Sequence, residues 1–151
     1  IGSQMASETL PSLVSADGLI GKAFGHHLIE YRTLLSKQVN PEGINQTGGK
    51  WFGASDEWGW YSRKIDLMSE VNVYGTTVWS SSGYDTGIDN RQYALFQLKP
   101  EFINSYGNAR FHYWLKAVSH ADSFDCAEYY GGSSFWGATH VLGVRPRFLI
   151  D

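Results

Sequence analysis

The sequence is poor in several residue types and patterns that define common protein classes. Its single cysteine, Cys126, excludes an internal disulfide and a cysteine-rich metal framework. No apolar run approaches the roughly 18 residues that a membrane-spanning helix needs, and the N-terminus lacks a basic segment followed by an apolar one. The net charge of -3 and a pI near 5.9 give no overall attraction to nucleic acid or to an anionic membrane. These absences predict a fold held by packing alone, with no nucleic-acid partner and no membrane insertion.

Aromatic residues and glycine are abundant instead. Aromatic side chains make up 15% of the 151 residues, and there are 17 glycines, whereas helix-favouring residues are sparse. The length suits one domain with one core. Residues 1–12 look like an expression scar and linker, so we predict a single domain over residues 13–151.

Two segments have the apolar spacing of amphipathic helices. Residues Leu28 to Val39 place apolar side chains three and four positions apart, and Asn40-Pro41 then stops the pattern. A second short helix is predicted from Ser62 to Val71. The segment between them, from Gly43 to Gly59, is predicted to be a polar loop.

Beyond Val71 the pattern favours short strands separated by turns. β-Branched and aromatic residues, bounded by Gly, Ser, Asp and Asn, predict the following strands: Val73, Gly75 to Trp79, Tyr93 to Leu98, Phe111 to Val118 and Gly143 to Ile150. Residues 80–91 are predicted to form a long loop. Helices followed by short strands predict an α+β domain.

The last third of the chain, Tyr113 to Asp151, is the segment most informative about function. A chemically mixed run rich in Gly, Ser, Tyr, His and Asp lies between two apolar segments, one around Tyr113 to Val118 and the other around Gly143 to Ile150. A rigid frame that holds such an insert is typical of a binding surface.

This closing segment resembles that of C-type lectin-like domains from bacterial and phage surface proteins. The matching residues are Trp114, Leu115, Val118, Phe124, Ala127, Gly131, Gly132, Ala138, Gly143, Val144, Arg145, Pro146, Phe148 and Ile150. Trp60 to Gly87 and Leu95 to Pro100 are similar to C-terminal domains of phage structural proteins, including capsid proteins of gut-dwelling phages. The resemblance covers about residues 25 to 150.

The resemblance implies a C-type lectin-like fold, with one or two helices packed on short, mostly antiparallel strands with long loops. It implies that Phe124, Ala127 and Ala138 face inward, and that a ligand binds through the exposed surface from Ser119 to Leu142. The ligand-binding residues implied in this way are His120, Asp122, Asp125, Tyr129, Tyr130, Ser134, Phe135, Trp136, Thr139 and His140. Their mixture of aromatic, hydroxyl and charged groups suits adaptable recognition.

The function implied is receptor binding by a phage or bacterial surface protein, for host adhesion. The partner would be a host-cell surface protein or glycan, with other virion subunits as further partners, and the location would be the virion surface or, alternatively, the bacterial cell surface. Some members of the family are diversified in this variable region by retroelements. The alternative function is a structural domain that decorates a capsid or tail and has no ligand of its own.

Candidate catalytic and metal residues have weaker support. The adjacent His26 and His27 have no third ligand at useful spacing, and Asp85 and Asp89 suit a turn better than a calcium loop. Asp56, Glu57 and Glu70 have no motif that fixes a catalytic separation, and Cys126 lacks a Cys-His signature. Calcium-dependent sugar-binding motifs of the wider fold are also missing. We therefore predict no enzyme activity, no cofactor and no metal, and we predict that Arg145 has a structural role.

Overall fold

The computed structural model describes residues 4–36, 58–79, 91–120 and 123–151, which form an α+β fold. Its α-helices are α1 (Leu10–Val14), α2 (Leu19–Phe24), α3 (Glu70–Tyr74) and α4 (Ala94–Leu98). Its strands are β1 (Leu28–Ile29), β2 (Tyr31–Ser36), β3 (Trp58–Arg63), β4 (Asp66–Leu67), β5 (Ser105–Tyr106), β6 (Ala109–Arg110), β7 (Tyr113–His120), β8 (Ser123–Ala127), β9 (Ser133–Gly137), β10 (Pro146–Arg147) and β11 (Leu149–Ile150). The strand pairs are antiparallel. The prediction of an α+β fold is confirmed, and within these residues no helix has the length and apolar character needed to cross a membrane.

The largest sheet has the strand order β7-β8-β9 and carries a hydrophobic cluster on each face. Trp114 lies opposite Cys126 in the register, and Tyr113 lies opposite Ala127. Successive side chains of a strand point to opposite faces, and residues that are directly paired share a face. Trp114 and Cys126 therefore belong to one cluster, and Tyr113 and Ala127 to the other. The sheet is covered on both faces, and the last three residues of its central strand, Asp125 to Ala127, are buried.

The two clusters recruit different parts of the chain. The first contains Leu10, Ile20, Leu28, Ile65, Leu67, Trp114 and Cys126. The second contains Met68, Val73, Phe96, Ile103, Tyr113, Leu115 and Ala127. Leu10, in the segment predicted to be a scar and linker, is only 3% exposed, and a π-helical turn at Met5–Thr9 leads into α1. Residues 5–14 are thus packed against the domain.

The stretch from Gly143 to Ile150 forms two short strands, whereas one strand was predicted there. β10 pairs with β4, whereas β11 pairs with β1. Phe148 lies between them and its ring packs on that of Phe24, with centroids 5.1 Å apart. The chain therefore changes strand partner at the point where Phe148 enters the first cluster.

A buried polar network fixes β10 in place, and we call it the frame network; its members are Arg63, Asp66, Asn72, Tyr93 and Arg147. The Arg147 guanidinium lies 3.5 Å from the Asp66 carboxylate, to which Arg63 also donates at 3.2 Å. Arg147 donates further to the Tyr93 hydroxyl at 3.1 Å and to the Asn72 side-chain oxygen at 3.3 Å. Because Arg147 lies directly opposite Asp66 across β10 and β4, charge pairing and strand register support each other.

The helix predicted from Leu28 to Val39 is wrong, since the described part of this segment is β1 and β2. β2 pairs along its whole length with β3. Thr33 in β2 is buried at 2% exposure, while its neighbour Arg32 is exposed. The spacing of apolar residues in this segment is compatible with a helix or with strands, and pairing with β3 favours the strand. Residues 37–39, and nearly all of the predicted loop from Gly43 to Gly59, lie outside the described residues.

The helix predicted from Ser62 to Val71 begins only at Glu70, in α3. Ser69 caps it, because its hydroxyl accepts from the Asn72 backbone N–H at 3.1 Å, and the Asn72 side chain accepts from the Ser69 N–H at 3.1 Å. This capping box fixes the start of the helix, and the preceding residues are in β3 and β4. Gly75 ends the helix with a φ of 81°, a left-handed conformation that suits glycine.

The strands predicted at Val73, at Gly75 to Trp79 and at Tyr93 to Leu98 are also wrong. Val73 lies in α3, residues 75–79 form turns, and the third segment contains α4. In α4 only Phe96 is buried, at 3% exposure, whereas Leu98 is 76% exposed. In a strand, Phe96 and Leu98 would lie on the same face and would be buried together. Because only Phe96 is buried, the short helix is favoured. The predicted strand Phe111 to Val118 is confirmed as β7, and residues 80–90 of the predicted loop lie outside the described residues.

Candidate binding surface

The turn between β8 and β9 projects two tyrosines into solvent. Tyr129 is 52% exposed and Tyr130 is 60% exposed. Backbone hydrogen bonds of 2.8 Å from Glu128 N–H to the Gly132 carbonyl, and from Gly131 N–H to the Glu128 carbonyl, close the turn. Gly131 has a φ of 96°, which a residue with a side chain rarely adopts. The turn is therefore tight, and its two aromatic side chains have fixed attachment points.

Neighbouring groups hold this turn from the sides. The buried Asn104 side chain donates to the Tyr129 carbonyl, and the Tyr74 hydroxyl donates to the Gly132 carbonyl at 2.8 Å. Burial, reinforced by Tyr113 and nearby acidic groups, raises the pKa of Tyr74 well above its usual range, so that its hydroxyl stays a proton donor. Two backbone carbonyls of the turn thus accept hydrogen bonds from side chains of other elements.

Glu128 lies beneath the tyrosines as a buried anchor, with a residue exposure of 5%. One carboxylate oxygen accepts from the Trp136 indole N–H at 2.7 Å. The other lies 2.8 Å from Nδ1 of His112, whose side chain is 30% exposed. Burial of a carboxylate is costly unless donors compensate it. Here the Trp136 indole N–H is the hydrogen-bond donor and the His112 imidazole is a close polar contact, so the carboxylate joins two rings.

The rings around Glu128 form a continuous cluster. His112 contacts both Tyr129, at a centroid distance of 5.2 Å, and Trp136, at 6.0 Å. Tyr129 and Tyr130 meet edge to face at 5.3 Å, and Trp136 and His140 do so at 4.6 Å. Such edge-to-face pairs add to the energy of burial. We call this set the aromatic surface: His112, Tyr129, Tyr130, Trp136 and His140.

A second pair of rings lies beside β9 and is also anchored by a buried glutamate. Trp79 packs edge to face on Phe135 at 5.0 Å and donates its indole N–H to the Ser133 carbonyl at 3.0 Å. Glu70, which is fully buried, accepts from the backbone N–H of Val78 at 2.8 Å and of Trp79 at 3.1 Å, and from the Ser133 hydroxyl. Buried acids therefore position rings next to both ends of β9.

Burial and nearby acidic groups affect the thiol of Cys126 in β8. Burial, with further contributions from Glu128, Asp125 and Glu70, raises the pKa of Cys126 to about 12. Cys126 is fully buried and stays a thiol. It has no thiolate character to offer as a nucleophile.

The predicted site residues fall into several groups. Tyr129, Tyr130, Thr139 and His140 are exposed, and Ser134, Phe135 and Trp136 are partly buried. For His120 only the backbone is described, and Asp122 lies outside the described residues.

Two orientations predicted from the sequence are wrong. Asp125 was expected to face outward but is fully buried, because it lies two residues before Ala127 in β8 and shares its face. Ala138 was expected to face inward but is exposed, because it follows the end of β9 in the turn. Phe124 packs against the first cluster and Ala127 is fully buried, as predicted.

Trp136 combines both predicted roles. It lies opposite Phe124 in the register and packs against the first cluster, and its ring also contacts the partly exposed His112 and the exposed His140. It is therefore a fixed wall of the aromatic surface and contributes to the core as well.

Sequence reasoning missed His112 and Glu128 as parts of the site. Their contact joins residues from before β7 and after β8, and no local pattern encodes it. The available signal was an acidic residue next to two tyrosines at the end of a strand, followed by glycines.

Arg145 has the structural role predicted for it. Its guanidinium donates to the backbone carbonyls of Phe102 and Ile103, the latter at 3.0 Å. It also lies over the rings of Phe96, at 5.1 Å, and Tyr113, at 5.5 Å. These contacts join the closing segment to the second hydrophobic cluster.

Within the described residues, no group of three or more His, Cys, Asp or Glu side chains is arranged to hold a metal ion. The chain matches no family model, no curated protein and no solved structure in the corresponding comparisons.

Proposed function

We propose that this chain is a receptor-binding display domain with a C-type lectin-like fold, carried by a phage or bacterial surface protein. It binds a macromolecular receptor through the segment from Ser119 to Leu142, on the surface of the virion or, alternatively, of the bacterial cell. The observation that carries the proposal is the pair Tyr129 and Tyr130, more than half exposed on a turn that Glu128 anchors from beneath.

The energetics of recognition support this reading. Tyrosine gives a large contact area at low cost in side-chain entropy, and binding energy concentrates in a few aromatic residues. Holding the backbone of the turn before the partner arrives lowers the cost of ordering it on binding. Exposed rings on a rigid, hydrogen-bonded turn have no comparable benefit for folding.

The path of the chain supports the lectin-like part of the proposal. The first and last strands of the described fold, β1 and β11, pair with each other. The segment from Gly143 to Ile150 is fixed to the rest of the fold by the pairing of β10 and β11 and by the hydrogen bonds of Arg145. The proposed binding segment, Ser119 to Leu142, thus lies between β7 and the paired strands β10 and β11, as the resemblance implies.

Retroelement diversification, where it acts, is restricted by the same contacts. Glu128 and Trp136 are fixed by each other and by the core, so their replacement disturbs the fold. Tyr129, Tyr130, Thr139 and His140 are exposed positions whose side chains tolerate exchange.

The test is the binding of the labelled domain to a panel of bacterial strains, comparing the unchanged chain with the double variant Tyr129→Ala/Tyr130→Ala. We expect at least one strain to bind, with at least a tenfold loss in the double variant. Trp60→Ala is the matched control, since Trp60 is a comparably exposed aromatic at 51% on the separate β2–β3 hairpin. Binding to no strain, or equal binding by the double variant, contradicts the proposal.

The alternative, an assembly domain, is favoured by one further observation. Three apolar side chains of α4 and the adjoining 3-10 turn are exposed: Leu95 at 49%, Leu98 at 76% and Phe102 at 40%. An obligate assembly domain buries such a patch against neighbouring subunits. Light scattering after size exclusion separates the functions, since the assembly reading predicts oligomers that Leu98→Glu dissociates and the receptor reading predicts a monomer.

A further inference from the structure

We propose that the partner of the aromatic surface is a protein surface that is itself uncharged and apolar at its centre, and that this contact is insensitive to salt. The inference rests on the proposed function and narrows the partner from the two classes, protein and glycan, that the surface would otherwise admit. Three properties of the described residues lead to it.

The first property is the raised shape of the surface. Tyr129 and Tyr130 are more than half exposed, and Val141, in the turn that follows β9, is 98% exposed. Sites for small molecules are concave and enclose most of the ligand. Side chains that project so far contact a partner over a broad area, as at the interface of two macromolecules.

The second property is the absence of charge. From Tyr129 to Val144 the sequence has no Asp, Glu, Lys or Arg. The nearest acid, Glu128, is buried under the rings, where its charge faces His112 and Trp136. The centre of a protein–protein interface is depleted of charged residues and enriched in Tyr and Trp. A charged partner would lose its hydration here without gaining an opposite charge from residues 129–144.

The third property is that the polar groups are already engaged. Both carboxylate oxygens of Glu128 contact ring nitrogens, and the Asn104 amide donates to the Tyr129 carbonyl. Nδ1 of His140 lies 3.1 Å from the Gly137 carbonyl. A polyhydroxylated sugar loses many hydrogen bonds to water on binding and needs directed partners in return. On the aromatic surface, these contacts leave the two tyrosine hydroxyls and the Nε2 atoms of His112 and His140 for such a ligand.

The ring faces are also partly covered. Tyr130 lies against Gly132, where an added Cβ would come within 2.7 Å of its ring, and its other contact is Tyr129. Tyr129 in turn contacts His112. Flat stacking on a sugar ring is thereby restricted, whereas the exposed parts of both tyrosines can still fit between the side chains of a protein.

The probe for the test is a random dodecapeptide library displayed on phage, selected against the complete chain, with a panel of immobilised glycans run in parallel. We expect enriched peptides that are aromatic or aliphatic and nearly free of charge. Their Kd should change by less than about twofold between about 50 mM and 500 mM NaCl, because salt screens charge pairs only. Binding should fall at least tenfold in Tyr129→Ala/Tyr130→Ala and stay unchanged in Trp60→Ala.

The outcomes separate this inference from the function on which it rests. Enrichment of charged peptides whose Kd weakens more than tenfold with salt overturns the inference alone, as does a glycan whose binding depends on Tyr129 and Tyr130. Binding that the double variant leaves intact overturns both the inference and the proposed function. Failure to enrich any peptide counts against a protein partner.

Discussion

The frame network and the aromatic surface are each built around a buried carboxylate, and they differ in what surrounds it. Asp66, with a side chain 4% exposed, faces the guanidinium groups of Arg63 and Arg147, whose side chains are 19% and 12% exposed. Two cations with largely buried side chains compensate its charge. This arrangement stabilises the fold.

Glu128 is equally buried, but its partners lead outward. His112 is 30% exposed on its side chain, and the next rings, Tyr129 and Tyr130, are more than half exposed. A buried carboxylate thus stabilises the frame network at Asp66 and positions the rings of the aromatic surface at Glu128. The two networks differ in where they end: the frame network ends in the core, whereas the network at the proposed binding surface ends in solvent-exposed aromatic side chains.

The largest expected effect is on the frame. Arg147→Ala leaves Asp66 with only one of its two cations, and breaking a buried ion pair costs about 3 to 5 kcal/mol. Urea denaturation measures this loss in the free energy of unfolding. Arg110→Ala is the control, because Arg110 is exposed on β6 and should change stability by less than about 0.5 kcal/mol. Equal effects of the two changes would contradict the role of the frame network.

Glu128→Ala should destabilise the chain less, by about 1 to 3 kcal/mol, because it leaves the Trp136 indole N–H without its acceptor and removes the carboxylate that contacts His112. His112 is partly exposed and regains water. The indole N–H resonance of Trp136 in NMR should move upfield in this variant, whereas Glu128→Gln should keep an acceptor and retain most of the shift. An unmoved resonance in Glu128→Ala would refute the anchoring role.

Alkaline titration compares the surroundings of two buried acids. Cys126, near the acids under the aromatic surface, has its pKa raised by burial from 9.0 to about 12, and Tyr113, beside Arg145, has its pKa raised by burial from 10.0 to about 12, against the lowering effect of that cation. A raised pKa in the folded state gives stability that is complete below the unfolded pKa and is lost as pH rises toward the folded one. Stability should therefore fall between about pH 9 and pH 12.

The contributions of Cys126 and Tyr113 to this loss of stability can be separated because the two groups begin to titrate at different pH values. Cys126→Ala should flatten the loss from about pH 9 upward, and Tyr113→Phe only from about pH 10 upward, as measured by urea denaturation across this range. Each titrating group contributes up to about 1.4 kcal/mol per pH unit. A Cys126→Ala chain with an unchanged slope between pH 9 and pH 10 would show that the thiol is not protected as described.

The parts of this fold that sequence patterns predicted are those with a strong local signal. β7 carries a dense run of apolar and aromatic residues, and the α+β class follows from composition and order. Two predictions failed in opposite directions. The helix predicted from Leu28 is a pair of strands up to Ser36, because β2 has β3 as a partner, and the strand predicted from Tyr93 to Leu98 contains a short helix around one buried residue, Phe96.

The candidate site was predictable at its exposed tip and not at its base. Tyr129 and Tyr130 follow a strand and precede two glycines, so their exposure follows from a turn. Asp125 was misplaced because β8 is covered on both faces, which no alternation of apolar and polar residues in the strand reveals. The contact of Glu128 with His112 exists only after β7 and β8 pair.

The smallest expected effect on stability belongs to the tyrosines, and it gives the most direct test of the central claim. The measurement is the free energy of unfolding of Tyr129→Ala/Tyr130→Ala, determined on the same sample as its binding to cells. The aromatic surface predicts a change of about 1 kcal/mol or less, together with a loss of binding of at least tenfold. A destabilisation of about 3 kcal/mol or more with unchanged binding would show that these rings serve the fold and not a partner.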